Sequence, residues 1–470
     1  MHRIGATEVA RRRPGTGFVT GSLAFAVTAM ATMQTSSIAL LPVLPAVFDT
    51  DIATVSWVAT ATLIAGAVAN PIVGRMGDIH GKRVVLVACI GCALIGSVVG
   101  ALAVGLGVLI AARALQGIGS GVIPLAYGVV RDEVPGPDLV RSVSIVTAAG
   151  VSVGAGLGPV VTGVIVTAFG WRAVFWSIAA WSAVGLVLLW RTDHDTSVRH
   201  PATFDWIGAM LLSSGLVTLL LGITKGAAWG WTSLRVVLLG ACAIGLLGAF
   251  WRWEVTRTSP LVDLRLVRSG RVAWAHLGGV MVGFSAFAQY IITFTLVTGP
   301  TEGGVGLGRS VAVAGAVQIP GAVALGAASM SASRWTDSVG LHRLLVGASG
   351  VVAAGFVLMA VRHGSVGEVV VAVCVVNLGL GVAFCTLPII ILEQVDVEHI
   401  AAANAVNGLC RVVGSVVASA VVAAVLATGT SYVAGAAVAA EWTFVVSAGI
   451  AAAVAGALAI GAGIARHRAD

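Results

Sequence analysis

The residues of this chain that are most able to do chemistry are a few charged and polar side chains set between or within long apolar runs. Gly74, Asp78, Gly81 and Arg83 lie within ten residues, at a junction between two of these runs. The glycines allow two helix ends to approach closely, and the carboxylate would lie near helix termini and basic side chains. Such a group can latch one helical bundle to another, so this segment, the Asp78 turn, indicates a gate.

A second polar group occurs inside an apolar run. Arg113, Gln116 and Gly117 share one helix face at spacings of i, i+3 and i+4. An arginine within a membrane span costs about 2.5–3.5 kcal/mol on insertion scales, so we expect its side chain to face a polar cavity or a partner. The alternative is a structural arginine whose guanidinium binds backbone carbonyls.

Glycines and a proline mark the next apolar run. Gly154 and Gly158 are four residues apart, a spacing that gives a helix a flat face for close contact with another helix. Pro159 is expected to bend this helix, because it lacks an amide proton. Taken alone, the pattern is also explained by helix packing.

The second half of the chain contains a polar stripe on an otherwise apolar helix. Its members recur at spacings of 3, 4, 4 and 4 residues: Asn404, Asn407, Arg411, Ser415 and Ser419. Arg411 lies about ten residues into the run, hence roughly 15 Å deep at 1.5 Å per residue. There it can hold the carboxylate of an anionic or zwitterionic substrate, and a hydrogen-bonded helix clamp is the alternative.

Other polar residues within apolar runs are candidates for substrate contact: Gln34, Gln289, Tyr290, Gln318 and Asn377. Gln34 and Gln289 fall in runs at equivalent places in the two halves of the chain, and we expect them to face one another across a central pathway. Isolated amides in spans often only tie helices together, and this alternative stays open. The six cysteines are interpreted as packed free thiols, and no pattern requires a cofactor or a bound metal ion.

Composition defines the elements that must position these residues. Of the 470 residues, 58% are hydrophobic and 10% are charged, and the mean hydropathy is +1.01. A soluble domain needs far more surface charge, so the chain is interpreted as an integral membrane protein. Its basic residues lie in short loops between apolar runs, which indicates membrane topology and argues against nucleic acid as a partner.

A span needs roughly 20 apolar residues, and fourteen runs are long enough. We expect spans at about 17–41, 54–73, 84–103, 107–130, 143–168, 172–190, 205–224, 233–251, 272–298, 308–330, 341–361, 367–391, 401–427 and 442–465. The predicted fold class is therefore an all-α integral membrane protein. Its predicted domains are a six-helix bundle at 1–190, a linker with two additional spans at 191–270 and a second six-helix bundle at 271–470.

The distribution of basic residues predicts the orientation. With the N-terminus inside, 20 of the 27 lysines and arginines fall in cytoplasmic segments and 5 in outer segments. This bias predicts a multi-pass protein of the cell inner membrane with both termini in the cytoplasm. The N-terminal residues Arg11, Arg12 and Arg13 are interpreted as part of a cytoplasmic tail and not of a cleaved signal, because the apolar run that follows is too long.

A faint internal repeat relates the two halves. Residues 333–343 echo the Asp78 turn, with Asp337 and Gly340 in place and Ser333 instead of the first glycine. This copy joins predicted spans ten and eleven, as the first joins spans two and three. Two six-helix halves with an extra pair between them explain the offset, and parallel halves of this kind are typical of transporters.

The order of these motifs resembles that of the drug:proton antiporters of the major facilitator superfamily, in the fourteen-span branch of multidrug and antibiotic exporters. The resemblance rests on the Asp78 turn, the Arg113 segment, the Gly158-Pro159 segment and residues 170–175 and 260–266. It implies the major facilitator fold of two six-helix bundles plus two extra spans. It further implies a gate at Asp78, a part for Arg113 in proton coupling, and an exporter rather than an importer.

The function that the resemblance implies is proton-driven efflux of drugs or antibiotics across the cytoplasmic membrane by alternating access. The alternative is export of a specific endogenous metabolite, such as a self-made antibiotic. The expected partners are a small-molecule substrate, protons as the coupling ion and the lipid bilayer, and the oligomeric state stays open. An enzyme is disfavoured, because the polar clusters at 131–133 and 193–195 are short and compatible with solvated turns.

One stretch departs from the pattern of this branch, whose members usually carry an aspartate in the first span. Residues 32–38 of this chain contain no acid. The residue that would carry the coupling proton is therefore not identified, and the missing acid favours a neutral or anionic substrate. His276 is one candidate, and the others are Glu133, Glu302, Glu368 and Glu393 if they lie deeper than predicted.

Overall fold

A computed structural model gives the fold of the chain. It describes residues 16–41, 43–50, 52–134, 136–191, 203–257, 260–262, 270–299, 301, 306–395, 400–428, 430–433 and 436–439. Within them, 13 helices are long and apolar enough to cross a membrane. The predicted all-α multi-pass fold is confirmed, and the predicted fourteenth span at 442–465 lies outside the described residues.

The first six spans are numbered here in chain order. Span 1 is Thr16–Leu40, span 2 is Trp57–His80 and span 3 is Lys82–Ala101. Span 4 consists of Leu106–Ile118, the 3₁₀ turn Gly119–Gly121 and Val122–Glu133; span 5 consists of Gly136–Ala148, the π-helix Ala149–Leu157 and Gly158–Phe169; span 6 is Trp171–Arg191. Two short helices, Leu44–Phe48 and Ile52–Val55, precede span 2.

The remaining spans follow the same numbering. They are span 7 (Trp206–Trp229), span 8 (Leu234–Glu254), span 9 (Gly270–Thr298), span 10 (Val311–Val339), span 11 (Leu341–Val361), span 12 (Val366–Gln394) and span 13 (Ile400–Thr428). A short antiparallel strand pair, Thr430–Val433 with Ala436–Ala439, comes after span 13.

The internal repeat corresponds to a shared backbone turn. Gly81 separates spans 2 and 3 with φ 100° and ψ 128°, and Gly340 separates spans 10 and 11 with φ 84° and ψ 146°. Positive φ is readily adopted by glycine, because a side chain would clash with the backbone there. The two glycines therefore reverse the chain in the same way. Gly230 between spans 7 and 8 has a similar conformation, with φ 83° and ψ 124°, so the repeat in residues 333–343 stays a prediction.

Span 5 is irregular where the sequence predicts a bend. The π-helix Ala149–Leu157 ends directly before Gly158 and Pro159, which start a new α-helical segment. A proline removes one helical hydrogen bond and crowds the preceding turn, which accounts for the break. On the preceding face, a Cβ at Gly154 would lie 2.5 Å from the Cβ of Ala31 in span 1, so the predicted close helix contact is present.

The packing of the spans brings the two halves together along two seams. In the first half span 3 packs on spans 4 and 6, and in the second half span 12 packs on spans 10 and 11 while span 9 packs on span 13. The seams between the halves are formed by span 2 with span 13 and by span 5 with span 10. Spans 7 and 8 pack on each other, and span 7 also packs on spans 2 and 13.

Candidate functional site

Asp78 of the Asp78 turn links the two halves directly. The residue lies in the last turn of span 2 and its side chain is 3% exposed. Its Oδ2 accepts a hydrogen bond of 3.3 Å from the backbone N–H of Ala402, in the first turn of span 13. The first N–H groups of a helix lack helical partners and carry a positive partial charge, so they attract a carboxylate. The contact therefore closes the seam between spans 2 and 13 at one end.

The basic residues of the Asp78 turn bind within their own half. Lys82 Nζ lies 2.8 and 3.0 Å from the two carboxylate oxygens of Asp132 at the end of span 4. Arg83 donates to the carbonyls of Leu189 (2.9 Å) and Trp190 (3.2 Å) at the end of span 6, where a cation is favoured by the helix dipole. These contacts hold spans 3, 4 and 6 to the turn, and they leave Asp78 as its described link to span 13.

Two predictions about this region are refined by the structure. The interpretation of residues 131–133 as a solvated turn is wrong for Asp132, because its side chain is only 10% exposed and pairs with Lys82. Gly74 and Gly81 are both buried, as a closely packed turn requires. Of the second copy, the side chains of Ser333 and Asp337 lie outside what the structure describes.

Arg113 is fully buried and binds a shell of neutral acceptors. Its guanidinium donates to Met33 O (3.1 Å), Ser36 Oγ (3.2 Å), Gln116 Oε1 (2.9 Å), Val58 O (3.4 Å) and Ser37 Oγ. Gln116 in turn donates to Ser97 Oγ at 2.7 Å. The network joins spans 1, 2, 3 and 4, so Arg113 faces partners in its own half, as the structural alternative requires.

The first span meets Arg113 without an acid. The carbonyl of Met33 and the hydroxyls of Ser36 and Ser37 lie in the stretch where the branch usually has an aspartate. Gln34 is half-buried on the same helix, and its expected position opposite Gln289 stays a prediction. Gly158 packs on this region too, since a Cβ there would lie 2.5 Å from Thr35 Oγ1.

Amide and aromatic side chains gather in the second half. Gln289 donates to Thr293 Oγ1 (3.1 Å) and to Gln318 Oε1 (3.2 Å), which ties span 9 to span 10. The Nε2 of Gln318 and the hydroxyl of Tyr290 are buried and without a hydrogen-bond partner among the described residues. Tyr290 also stacks on Phe294, with ring centroids 5.0 Å apart. Unpaired polar atoms beside an aromatic face are what a binding site for an organic molecule needs.

The polar stripe of span 13 is used mainly for packing. Asn407 donates to the carbonyl of Ala275 at 2.8 Å, and Ser415 donates to the carbonyl of Gly283 at 3.1 Å, both in span 9. Asn404 is buried. Asn377 of span 12 donates to Val373 of its own helix at 2.9 Å. In this conformation Asn407 and Ser415 tie span 13 to span 9.

Arg411 differs from the rest of the stripe. Its side chain is partly exposed, and its guanidinium lies 5.6 Å from the ring centroid of Phe384 in span 12. Within the described part of the chain, no hydrogen-bond acceptor binds this guanidinium. A cation inside a span is stabilised by partners or water, so Arg411 offers unused donors at the centre of the molecule.

Two buried polar residues, Asn70 and Lys225, escape the sequence analysis, and a third, His276, is one of its candidates for the coupling proton. Asn70 in span 2 accepts a hydrogen bond of 3.3 Å from Ser120 in span 4. Lys225 is buried near the end of span 7, where its Nζ lies 3.1 Å from Ser56 Oγ and 4.5 Å from the ring of Trp57. His276 is buried in span 9 and neither ring nitrogen has a hydrogen-bond partner among the described residues.

Comparison with known proteins places this architecture among membrane transporters. The sequence model of the Major Facilitator Superfamily matches residues 23–419. A transporter of Bacillus subtilis (strain 168), named as the uncharacterized MFS-type transporter YvkA, is 26% identical over 80% of this chain and 83% of its own length. A solved structure of the human organic anion transporter MFSD10 (TETRAN) superposes with a TM-score of 0.66 at 14% identity, over 95% of this chain and 100% of that one, which supports the shared fold.

Two relatives come from antibiotic-producing bacteria of the genus Streptomyces. The tetracenomycin C resistance and export protein of Streptomyces glaucescens is 32% identical over 61% of this chain and 54% of its own length. The probable actinorhodin transporter of Streptomyces coelicolor is 30% identical over 78% of this chain and 65% of its own length. The matched regions thus cover about half to two thirds of these two proteins.

Proposed function

Because the chain belongs to the major facilitator superfamily and is a multi-pass membrane transporter, we propose that it exports drugs or antibiotics across the cytoplasmic membrane. We propose further that it works by alternating access and that the proton gradient drives it. In this proposal both termini lie in the cytoplasm, and the substrate is a small molecule that passes between the two halves.

The observation that carries the proposal is the contact from Asp78 to the backbone N–H of Ala402. It joins the end of a helix in one half to the start of a helix in the other. A carrier that opens alternately to its two sides has to make such a contact in one state and break it in the other. A carboxylate on a helix N-terminus suits this role, because the interaction stabilises by only about 0.3–2 kcal/mol and is thus readily broken.

Further contacts join span 5 of the first half to spans 10 and 12 of the second half. Ser152 of span 5 donates to the carbonyl of Ala322 in span 10, and Ser144 Oγ lies 3.1 Å from Cys385 Sγ in span 12. Spans 1 and 9, in contrast, do not pack along one another in the described part of the chain. The Asp78 contact at the end of span 2 supports a conformation closed on the side of the Asp78 turn, which is the outward-facing state in the predicted orientation.

Proton coupling is the finer part of the proposal, and two buried titratable groups support it. One carboxylate oxygen of Asp78, Oδ1, has no hydrogen-bond partner among the described residues. Both ring nitrogens of His276 also lack a hydrogen-bond partner there. Unsatisfied buried polar atoms are uncommon and indicate groups that change partners or protonation state. Arg113 would contribute by holding spans 1, 2 and 4 in register.

A second candidate function is export of one endogenous metabolite, such as an antibiotic that the organism makes itself. It is favoured by the two Streptomyces relatives, which are named for tetracenomycin C and actinorhodin. The two candidates differ in breadth: a multidrug exporter accepts chemically unrelated compounds, whereas a dedicated exporter discriminates among close analogues.

The test is drug accumulation in an efflux-deficient bacterial host, measured over a panel of cationic, neutral and anionic compounds. We expect cells with the wild-type protein to accumulate less compound than cells with Asp78→Asn, and an uncoupler to abolish the difference. Gly91→Ala is the matched control for expression, because a Cβ at Gly91 meets open space. Equal accumulation in all cells for the whole panel, with expression confirmed, would contradict multidrug efflux. Efflux that persists in the uncoupler would contradict proton coupling.

A further inference from the structure

From the surroundings of Arg411 we propose an anion-binding site shared by the two halves, which holds the carboxylate or ionised phenol of an aromatic substrate. The site consists of the Arg411 guanidinium, the Asn70 side-chain amide and the open space beside Gly408. The inference rests on the proposed function, since it names the class of substrate that the transporter would carry.

Two donors from opposite halves converge on one small space. A Cβ built at Gly408 would lie 3.5 Å from Asn70 Nδ2 and 3.9 Å from Arg411 Nη2, and no described heavy atom is closer. Gly408 therefore leaves room for about one atom between an amide of span 2 and a guanidinium of span 13. Both nitrogens are donors and cannot bind each other, so the group that joins them has to be an acceptor.

The orientation of Asn70 is set by its other contact. Ser120 of span 4 donates to Asn70 Oδ1 at 3.3 Å, which leaves Nδ2 on the side of Gly408 and Arg411. Asn70 is 5% exposed, so a donor placed here is withdrawn from bulk solvent. A hydrogen bond from a charged donor to an anion is roughly twice as strong as a neutral one, and burial strengthens it further.

An aromatic ring lies beside the cation of this site. The Phe384 ring centroid lies 5.6 Å from the Arg411 guanidinium, so the aromatic body of a substrate whose anionic group binds Arg411 can lie against this ring. Residues 32–38 of span 1 contain no acid that would attract a cation. The positive charge of Arg411 therefore favours an anionic substrate over a cationic one.

The position of the site ties ligand binding to the gate. Asn70 and Asp78 are eight residues apart on span 2, and Gly408 and Ala402 are six apart on span 13. At 1.5 Å per residue the site lies roughly 9–12 Å from the Asp78 contact along the same seam. Opening the seam would separate Asn70 from Arg411, so the complete site exists in the state that Asp78 closes.

The experiment compares two xanthene dyes of similar size and opposite charge, anionic fluorescein and cationic rhodamine 123. Binding is measured by fluorescence anisotropy on the purified full chain in nanodiscs of phosphatidylcholine, with a second set that contains phosphatidylglycerol. We expect fluorescein to bind at least about tenfold more tightly than rhodamine 123, the factor that one charge-assisted hydrogen bond supplies. Loss of this preference only in the anionic lipid would indicate that a lipid headgroup occupies the site.

Variants locate the preference. Arg411→Gln is expected to weaken fluorescein binding about tenfold and to leave rhodamine 123 within about twofold, whereas the exposed control Arg235→Gln changes neither. Gly408→Ala fills the space without a clash and is expected to weaken fluorescein alone, with Gly91→Ala as its control. Asn70→Asp places a carboxylate beside Arg411 and is expected to raise the melting temperature and exclude fluorescein.

Three results would overturn the proposal: no binding of either dye, equal binding of both, or a preference that survives Arg411→Gln and Gly408→Ala. If Arg411→Gln fails to fold, the fluorescein binding of Gly408→Ala and Asn70→Asp decides whether the site exists. A parallel accumulation assay separates this proposal from the proposed function. Proton-dependent efflux without anion preference would reject the site alone, and anion-selective binding without efflux of any compound would reject the exporter alone.

Discussion

Arg113 and Arg411 are two arginines within membrane spans, one in each half, and they are treated very differently by their surroundings. Arg113 is fully buried and donates to five neutral acceptors, all within the first half. Arg411 lies at the seam between the halves, beside Phe384, and no acceptor binds it within the described residues. The guanidinium of Arg113 is thus hydrogen-bonded within the protein, whereas the guanidinium of Arg411 has donors that no described acceptor binds.

The difference shows that depth in the membrane does not by itself assign a role to a charged residue. A buried donor without a partner costs about 1–3 kcal/mol, so a protein that leaves several unpaired has to recover this energy from water or a ligand. The hydrogen bonds of an arginine that is fully paired within the protein contribute to the stability of the folded state. Its removal is therefore expected to damage the structure, whereas removal of the unsaturated one is expected to damage recognition.

The largest expected effect is that of Arg113→Ala. The change removes the described donor of Gln116 Oε1, at about 1–3 kcal/mol for an unsatisfied buried group. Met33 O and Val58 O keep the hydroxyls of Ser36 and Thr62 as donors, so the further loss is that of the links from Arg113 to spans 1 and 2. We expect transport to be abolished and the melting temperature of the purified protein to fall, with membrane insertion intact. Arg411→Gln is the matched variant and is expected to leave the melting temperature nearly unchanged. Equal destabilisation by the two variants, measured by thermal unfolding in detergent, would remove the distinction.

The second effect concerns Asp78, whose carboxylate has one oxygen with a hydrogen-bond partner and one without. Oδ2 is bound to Ala402 N–H and Oδ1 has no partner among the described residues. Asp78→Asn removes the charge that the helix terminus attracts, which weakens the closed state by about 1–2 kcal/mol. Spin-label distances between spans 2 and 13 are expected to lengthen, and efflux to be lost. Asp49→Asn, at an exposed position, is the control; unchanged distances in Asp78→Asn would show that the contact is not a latch.

A smaller effect is expected at Tyr290, whose hydroxyl resembles Arg411 in having no described partner. Tyr290→Phe keeps the stacking on Phe294 and removes only the hydroxyl. Because no hydrogen bond within the described structure is lost, the melting temperature is expected to stay the same or to rise slightly. Efflux of substrates that bind the hydroxyl is expected to fall several-fold, which dose–response curves across the drug panel would reveal. A clear loss of stability would instead assign the hydroxyl to the fold.

The smallest effect is expected at Arg83, a partnered arginine at the end of a span. It donates to the carbonyls of Leu189 and Trp190 at the end of span 6. Interactions of a cation with a helix C-terminus contribute about 0.3–1 kcal/mol, so Arg83→Gln is expected to lower stability slightly and to reduce efflux less than Asp78→Asn does. Arg83→Lys, which keeps the charge, should restore most of the loss. A loss of efflux equal to that of Asp78→Asn would place Arg83 in the gate itself.

The sequence predicts the spans and the turns well, for physical reasons. An apolar run of about 20 residues has few alternatives to a membrane helix, and Gly81 and Gly340 mark turns because of their backbone freedom. Asp78 could be singled out as a candidate gate residue from its neighbours in the chain. Its partner Ala402 could not, because a backbone N–H 324 residues away carries no signature in the side-chain sequence.

The candidate site was harder to predict because it depends on which polar groups are already paired. Arg113 and Arg411 look alike in sequence, and only the positions of Met33, Ser36 and Ser37 reveal that one of them is saturated. Asn70 was overlooked since a single amide in an apolar helix has no distinguishing pattern. Asn407 lies in a stripe that predicts a polar surface, yet its amide is bound to Ala275 O.

The placement of span 7 has a consequence for the way the halves move. Its Lys225 is hydrogen-bonded to Ser56 at the start of span 2, whereas its described contacts with span 13 are between apolar side chains, such as Leu220 with Val416. Polar contacts have a preferred geometry, and apolar contacts are nearly indifferent to sliding. During a rocking motion spans 7 and 8 would thus move together with the first half. The apolar face of span 13 that carries Val416 would slide along span 7.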